Sequence, residues 1–338
     1  MIAFSDTRQS AHAPLRELNN GEWMDYAEVP ARLETIRAAL GEIQEARDHG
    51  LEPILAVHDA GYVEFLRTAH KRWRETGRDG DAIGYTFPVV HRRKLDLARI
   101  DGALGTYAMD AATPIAAETW DAAYWSAQSA LTALDAVADG APHALALCRP
   151  PGHHAGPDYM GGYCYLNSAA IAAREAMARG AGPVAVFDVD YHHGNGTQDI
   201  FREDGEVLFV SIHADPSNDF PYFWGHADEE GEGEGQGATL NLPLPRGTCW
   251  EGYGPALETA CERIAGFGAK TLIVSYGADT HRDDPISHLA LDTDDYRRMG
   301  ERIATLGLPS VIVMEGGYDL ASLGPNVKRF CEGFEGLT

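Results

Sequence analysis

VAVFDVDYHH, residues 184–193, is the stretch that decides the fold. An apolar run ends abruptly in acids and histidines, and the same grammar recurs along the chain. Short apolar runs fall at 54–57, 144–148, 184–188, 208–212, 272–276 and 311–314, and each reads as a strand. Longer segments of helical period separate them, at 120–138, 167–179, 253–267 and 293–306. Strands alternating with helices mark an α/β fold, with a mostly parallel β-sheet and helices packed against it. The last helix has Thr293 as its expected N-cap, with Asp294 and Asp295 in the first turn. Gly268 and Gly307 stand where glycines close helices. No repeat or linker divides the chain, so residues 1–338 read as one domain with a long, poorly periodic loop at about 77–113.

Composition narrows the function classes. The net charge of −24, from 51 acidic and 27 basic residues, disfavours nucleic-acid partners, whose phosphates need basic patches. It favours cationic substrates, although a solvated acidic surface explains it equally simply. The glycine-rich acidic stretch 225–239 lacks calcium-loop spacing and reads as a solvated connection. Cys148, Cys164, Cys249, Cys261 and Cys331 are odd in number and scattered, which fits neither a disulfide framework nor a thiolate zinc site. A reducing cytoplasm is expected. No apolar run approaches the ~20 residues of a membrane helix, and MIAFSDTRQS does not read as a secretory signal.

Polar residues collect at the strand ends: CRPPGHH after 144–147, DVDYHH, SIH, GADTH and EGGY. In open parallel sheets, sites form beyond the carboxyl ends of the strands. Residues 188, 190 and 192 share one face if that segment stays extended. Asp190 and His192 then offer an oxygen and a nitrogen, and Asp279 from the GADTH strand supplies a third ligand. One histidine and two carboxylates leave an open position on the ion, as catalytic sites do. Zinc suits this mix, and Fe(II) or Co(II) would also be accepted.

RPPGHH (149–154), GGYCYLN (161–167), DVDYHHGNGTQ (188–198), GADT (277–280) and EGGY (315–318) resemble, in order and spacing, the histone deacetylase and acetylpolyamine amidohydrolase family. The resemblance implies the arginase–deacetylase fold, with helices on both faces of the sheet. It also implies a deacetylase in which His154 is general base and then general acid, while His153 steadies the attacking water. Asp188 and Asn195 match the partners of His153 and His154. Asn195 departs from the Asp of many members but is similar to the polyamine branch. Tyr318 would donate to the oxyanion. Structural potassium sites are implied at Asp188, Asp190, His192, Ser211 and Ile212, and at Phe201, Asp204 and Val207.

Tyr163 and Phe220 match the aromatic pair that walls the family's substrate tunnel. For a polyamine, a carboxylate should meet the distal ammonium, and Glu17, Asp101 and Asp110 are the candidates. The 77–113 region resembles the insertion by which the polyamine branch dimerises, so a homodimer acting on acetylpolyamines is expected. A protein acetyl-lysine deacetylase is the nearest alternative. A binuclear manganese ureohydrolase lacks its extra carboxylates here, and a non-catalytic polyamine-binding protein would not need the full catalytic set.

Overall fold

The protein is described by a computed structural model covering residues 1–88, 95 and 97–336. The N-terminal part runs through β1 (Ile2–Ser5), β2 (Arg16–Asn19), β3 (Glu22–Asp25), α1 (Ala31–Leu40) and β4 (Gln44–Glu45). Helices α2 (Glu52–Leu55), α3 (Ala60–Glu75), α4 (Ile100–Thr106) and α5 (Thr119–Ala138) follow. Strands and helices then alternate: β5 (His143–Ala146), α6 (Ser168–Ala178), β6 (Val184–Asp188), α7 (Asn195–Phe201) and β7 (Val207–Ala214). The chain ends with β8 (Thr239–Leu244), α8 (Trp250–Phe267), β9 (Thr271–Tyr276), α9 (Thr293–Ala304), β10 (Ser310–Met314) and α10 (Leu320–Glu335).

Eight strands form one sheet in the order β4-β1-β5-β10-β9-β6-β7-β8, with every neighbouring pair parallel. β2 and β3 form a separate antiparallel hairpin. A strand buried on both faces must be apolar throughout, and β6 shows why. Ala185 and Phe187 join Leu257 of α8, Met299 of α9 and Phe330 of α10 in one core. Val184 and Val186 join Ala133 of α5 and Ala172 of α6 in another. The helices therefore flank both faces, as the fold class requires. Among the described residues, no helix is long and apolar enough to cross a membrane.

Several expected boundaries move. Residues 54–57 are not a strand: Glu52–Leu55 is a helical turn with proline in its first positions, where its fixed φ favours a helix. The N-cap of α9 is Asp292 rather than Thr293, and Asp295 accepts from the Asp292 N–H at 2.9 Å to complete a capping box. The 77–113 region contains α4, whose Leu104 packs with Tyr62 and Leu66 of α3. Its residues 89–94 and 96 lie outside the described set. Nor is the acidic stretch 225–239 wholly solvated, because the Glu229 carboxylate accepts from Gln198 (2.6 Å) and the Gly225 N–H (2.9 Å).

Register places the strand ends side by side. Asp188 pairs with Ser211 on one side and Ser275 on the other, while Val313 of β10 pairs with both Ser275 and Ala146. Loops leaving β5, β10, β9 and β6 consequently meet at one edge. His58 ties this edge to α6: its Nδ1 lies 2.9 Å from the Gly156 carbonyl, and its Nε2 accepts from the Asn167 N–H at 2.9 Å. Burial pushes the His58 pKa down to about 4. The unfolded chain, with an ordinary pKa of about 6.5, therefore takes up this proton first, and stability falls as pH drops from there towards 4. His58 alone should account for about 2 kcal/mol by pH 5. Urea unfolding of the parent chain and His58→Gln across this range should converge by that amount; parallel curves would contradict it.

Candidate active site

β6 stops at Asp188, and side-chain hydrogen bonds steer the chain beyond it. Asp188 Oδ1 accepts from the Asp190 N–H at 3.1 Å, and Asp190 Oδ1 from the His192 N–H at 2.9 Å. These two-residue steps are the turns that aspartate favours. The segment is thus not extended, yet Asp190 and His192 still face the same space. Asp279, just past β9, faces them: His192 Nδ1 lies 3.1 Å from Asp279 Oδ2 and 3.4 Å from Asp190 Oδ1.

The remaining carboxylate oxygens are anchored. Asp190 Oδ2 accepts from the Gly316 N–H (2.8 Å), and Asp279 Oδ1 from the Tyr191 N–H (3.0 Å). One ligand atom from each of Asp190, His192 and Asp279 lies within 4.8 Å of the others, and both acids are fully buried. Burial and repulsion from Asp190 push Asp279 up to about 7. Two dry carboxylates and an imidazole turned towards one point fit a divalent cation of mixed oxygen and nitrogen preference. Close approach is built in at Gly316, where a Cβ would stand 2.5 Å from Asp279 Oδ2 and 2.6 Å from Asp190 Oδ2.

Beside this cluster stand His153 and His154, with ring centroids 4.0 Å apart. His153 Nδ1 lies 3.0 Å from Asp188 Oδ2, and His154 Nδ1 lies 2.7 Å from Asn195 Oδ1. Burial opposes a charged His153, but Asp190 and Asp188 outweigh it and raise the pKa to about 10. Burial, and then its charged neighbours His153 and His192, hold His154 well below the ordinary histidine range. The neighbouring carboxylates thus favour the charged form of His153, while burial favours the neutral form of His154.

A cavity of about 340 Å³ opens onto His154, His192 and Tyr318, with Tyr163, Phe220 and Asp110 also in its lining. Phe220 packs edge-on against His154 at 5.0 Å, and Tyr163 against Tyr318 at 5.6 Å. Asp110 is held by the N–H groups of Gly162 (2.7 Å) and Ala112 (3.0 Å) and the Thr113 hydroxyl (2.9 Å). Glu17 sits behind the wall rather than in it: it is buried and accepts from the Tyr163 hydroxyl at 3.0 Å. Burial, partly offset by that hydrogen bond, raises its pKa to about 7. Asp101 lies on α4, paired with Arg78 (2.7 Å) and Arg99 (2.8 Å), and is not brought to the cavity. Of the residues matched to potassium sites, Asp188 and Ser211 are register partners, and Phe201 accepts from the Asp204 N–H at 2.9 Å.

A model of the histone deacetylase domain matches residues 26–334. The chain belongs to the histone deacetylase family. Acetylpolyamine amidohydrolase 1 of Pseudomonas aeruginosa is 49% identical to it, with 99% of each chain covered. The acetylpolyamine amidohydrolase of Mycoplana ramosa is 46% identical, again over 99% of each. A crystal structure of acetylpolyamine aminohydrolase from Burkholderia pseudomallei superimposes with a TM-score of 0.96 at 42% identity, covering 100% of this chain and 99% of that one.

The structure also adds residues to this deacetylase-family site that sequence reasoning missed. Asp284 accepts from the Tyr318 N–H at 2.7 Å, and Glu315 from the N–H groups of Gly152 (2.6 Å) and His153 (3.1 Å). Arg32 donates to the carbonyls of Glu315 and Gly317, each at 2.6 Å, and is itself paired with buried Glu28 at 2.6 Å. Glu315 was visible in EGGY, but Asp284 and Arg32 look like surface charges in their own segments. His153, Cys164 and Glu315 form a second close group of potential ligands. There Glu315 Oε2 accepts from two N–H groups while Oε1 is buried without a hydrogen-bond partner among the described residues, and the Cys164 thiol donates to Gly162 O at 3.3 Å. For the first group, Gly316→Ala should displace the Asp279 or Asp190 carboxylate and weaken zinc affinity of the apo-protein by about tenfold or more. Competition titration against a chromophoric chelator measures this, and unchanged affinity would contradict the close-approach argument.

Proposed function

We propose that this chain hydrolyses the acetyl-amide bond of N-acetylated polyamines, with a divalent metal, zinc foremost, held by Asp190, His192 and Asp279. The observation that carries the reading is the cavity walled by Tyr163 and Phe220 that ends on His154, His192 and Tyr318. Two aromatic walls suit a methylene chain, and the polar end suits an amide. The curated relatives of nearly equal length support the polyamine class.

A divalent ion at the three ligands supplies Lewis acidity and a water of lowered pKa. His154, neutral and free at Nε2, takes the proton of the water that attacks the acetyl carbon, and then delivers it to the departing amine nitrogen. His153, held by Asp188 at 3.0 Å, lies beside the attacking water and steadies the negative charge that develops. The Tyr318 hydroxyl donates to the tetrahedral oxyanion, and Asp284, Arg32 and the glycines before it place that phenol. The C–N bond breaks to give acetate and the free amine. Asp110 is the acid we assign to the distal ammonium, since N–H and hydroxyl donors hold it without cancelling its charge, whereas Asp219 in the same lining is neutralised by Arg246 at 2.8 Å. The same reading takes the chain as one catalytic domain that dimerises, resides in the cytoplasm and binds structural potassium at the residues matched above.

Turnover of acetylputrescine, acetylcadaverine and acetylspermidine should exceed that of an acetyl-lysine peptide; a clear preference for the peptide would redirect the reading to protein deacetylation. His154→Ala should lower kcat by about 10²–10⁴-fold with its metal content intact. Tyr318→Phe should cost about 10²–10³-fold. Chelation should abolish activity and added zinc restore it.

A further inference from the structure

His154 can act at Nε2 only while its own proton sits on Nδ1. The partner that decides this is Asn195, and an amide is two-faced: its oxygen accepts and its nitrogen donates. With Oδ1 towards His154, Nδ1 must carry the proton and Nε2 is free. With the amide reversed, Nδ1 would have to accept, and the proton would move to Nε2. A carboxylate at position 195 would raise no such question, because both of its oxygens accept.

The far side of the amide resolves the choice. Asn195 Nδ2 lies 3.2 Å from the Tyr159 hydroxyl and 3.3 Å from Met109 Sδ. The Tyr159 hydroxyl in turn donates to Asp199 Oδ2 at 2.7 Å. An ionised Asp199 has no proton to give, so it claims the phenolic one and leaves the Tyr159 oxygen as an acceptor. A reversed amide would set its oxygen against the Met109 sulfur and compete with Asp199 for a single proton. Asn195 and Asp199 are four residues apart on α7 and so share a face. Tyr159 is held by the Gly156 N–H, which donates to its carbonyl at 2.9 Å, and by stacking on Trp224.

We infer that Asp199 and Tyr159 are positioning residues that fix the Asn195 amide and, through it, the tautomer of His154. This rests on the reading of His154 as base, and the experiment separates the two. In the zinc-loaded full chain, Tyr159→Phe should lower kcat on acetylputrescine about tenfold, with KM, zinc content and melting temperature nearly unchanged. Placed on Asn195→Asp, where no amide needs orienting, the same substitution should change kcat by less than about twofold. Nitrogen-15 shifts of His154 should show a protonated Nδ1 in the parent and a new population protonated at Nε2 in Tyr159→Phe. An equal loss in both backgrounds, a loss carried by KM, or unchanged kcat and His154 shifts in Tyr159→Phe would overturn the relay. If Asn195→Asp turns over too slowly to measure, the nitrogen shifts decide in the same two directions. Undiminished turnover in His154→Ala would instead remove the base itself.

Discussion

Asp188, Asp190, Asp279 and Glu315 lie together in the interior with no exposed surface, and the surrounding structure is arranged to bear that concentration of negative charge. A carboxylate taken out of water costs several kcal/mol unless donors replace the water. Here the donors are mostly backbone: the N–H groups of Gly152, His153, Tyr191 and Gly316 each point at one of these acids. His153 and His192 add imidazoles. Such a cage cannot be built from one segment, which is why loops from four strands must converge.

Strain collects at the same edge. Asn20, Tyr163 and Tyr222 all border the cavity with positive φ (51°, 67° and 59°). Left-handed backbone costs roughly 1–2 kcal/mol for a residue with a side chain. Tyr163 is kept there from both ends: Thr113 accepts from its N–H at 3.1 Å, and Glu17 from its hydroxyl at 3.0 Å. Glu17 so becomes part of the wall's support. Close by, Glu28 pairs with both Arg32 (2.6 Å) and Arg149 (2.9 Å), and these two arginines grip carbonyls on the EGGY loop and the N-terminal segment.

What the sequence disclosed and what it hid divide along physical lines. β6, β9 and β10 were legible because central parallel strands must be apolar on both faces, and their polar ends stood out against that background. The Asp190, His192 and Asp279 cluster and the paired histidines stood out for the same reason. β1 and β8 were not, because β1 begins with an exposed residue and β8 carries proline and half-exposed positions. The 54–57 run misled because a short apolar run looks the same in a helical turn. Asp284, Arg32 and Tyr159 escaped because their roles depend on partners far away in sequence or across a loop. Glu17 and Asp101 show the reverse error: an acid near a motif need not face the cavity.

The place of β10 has a consequence for how the molecule comes into being. It is the last strand in sequence, yet it lies between β5 and β9. Without it, the sheet is two unconnected halves. One half, β4-β1-β5, leads to the two histidines; the other, β9-β6-β7-β8, leads to Asp190, His192 and Asp279. Off the sheet, the two halves are also tied by α5 packing on α6 and by the contacts of His153 with Asp188 and of His154 with Asn195, and β10 closes the gap in the sheet itself. Pairings that close such long loops are slow, so the nascent chain carries an open seam with unpaired strand edges until then. The sheet is therefore continuous from β4 to β8 only once Ser310–Met314 has paired with both neighbours.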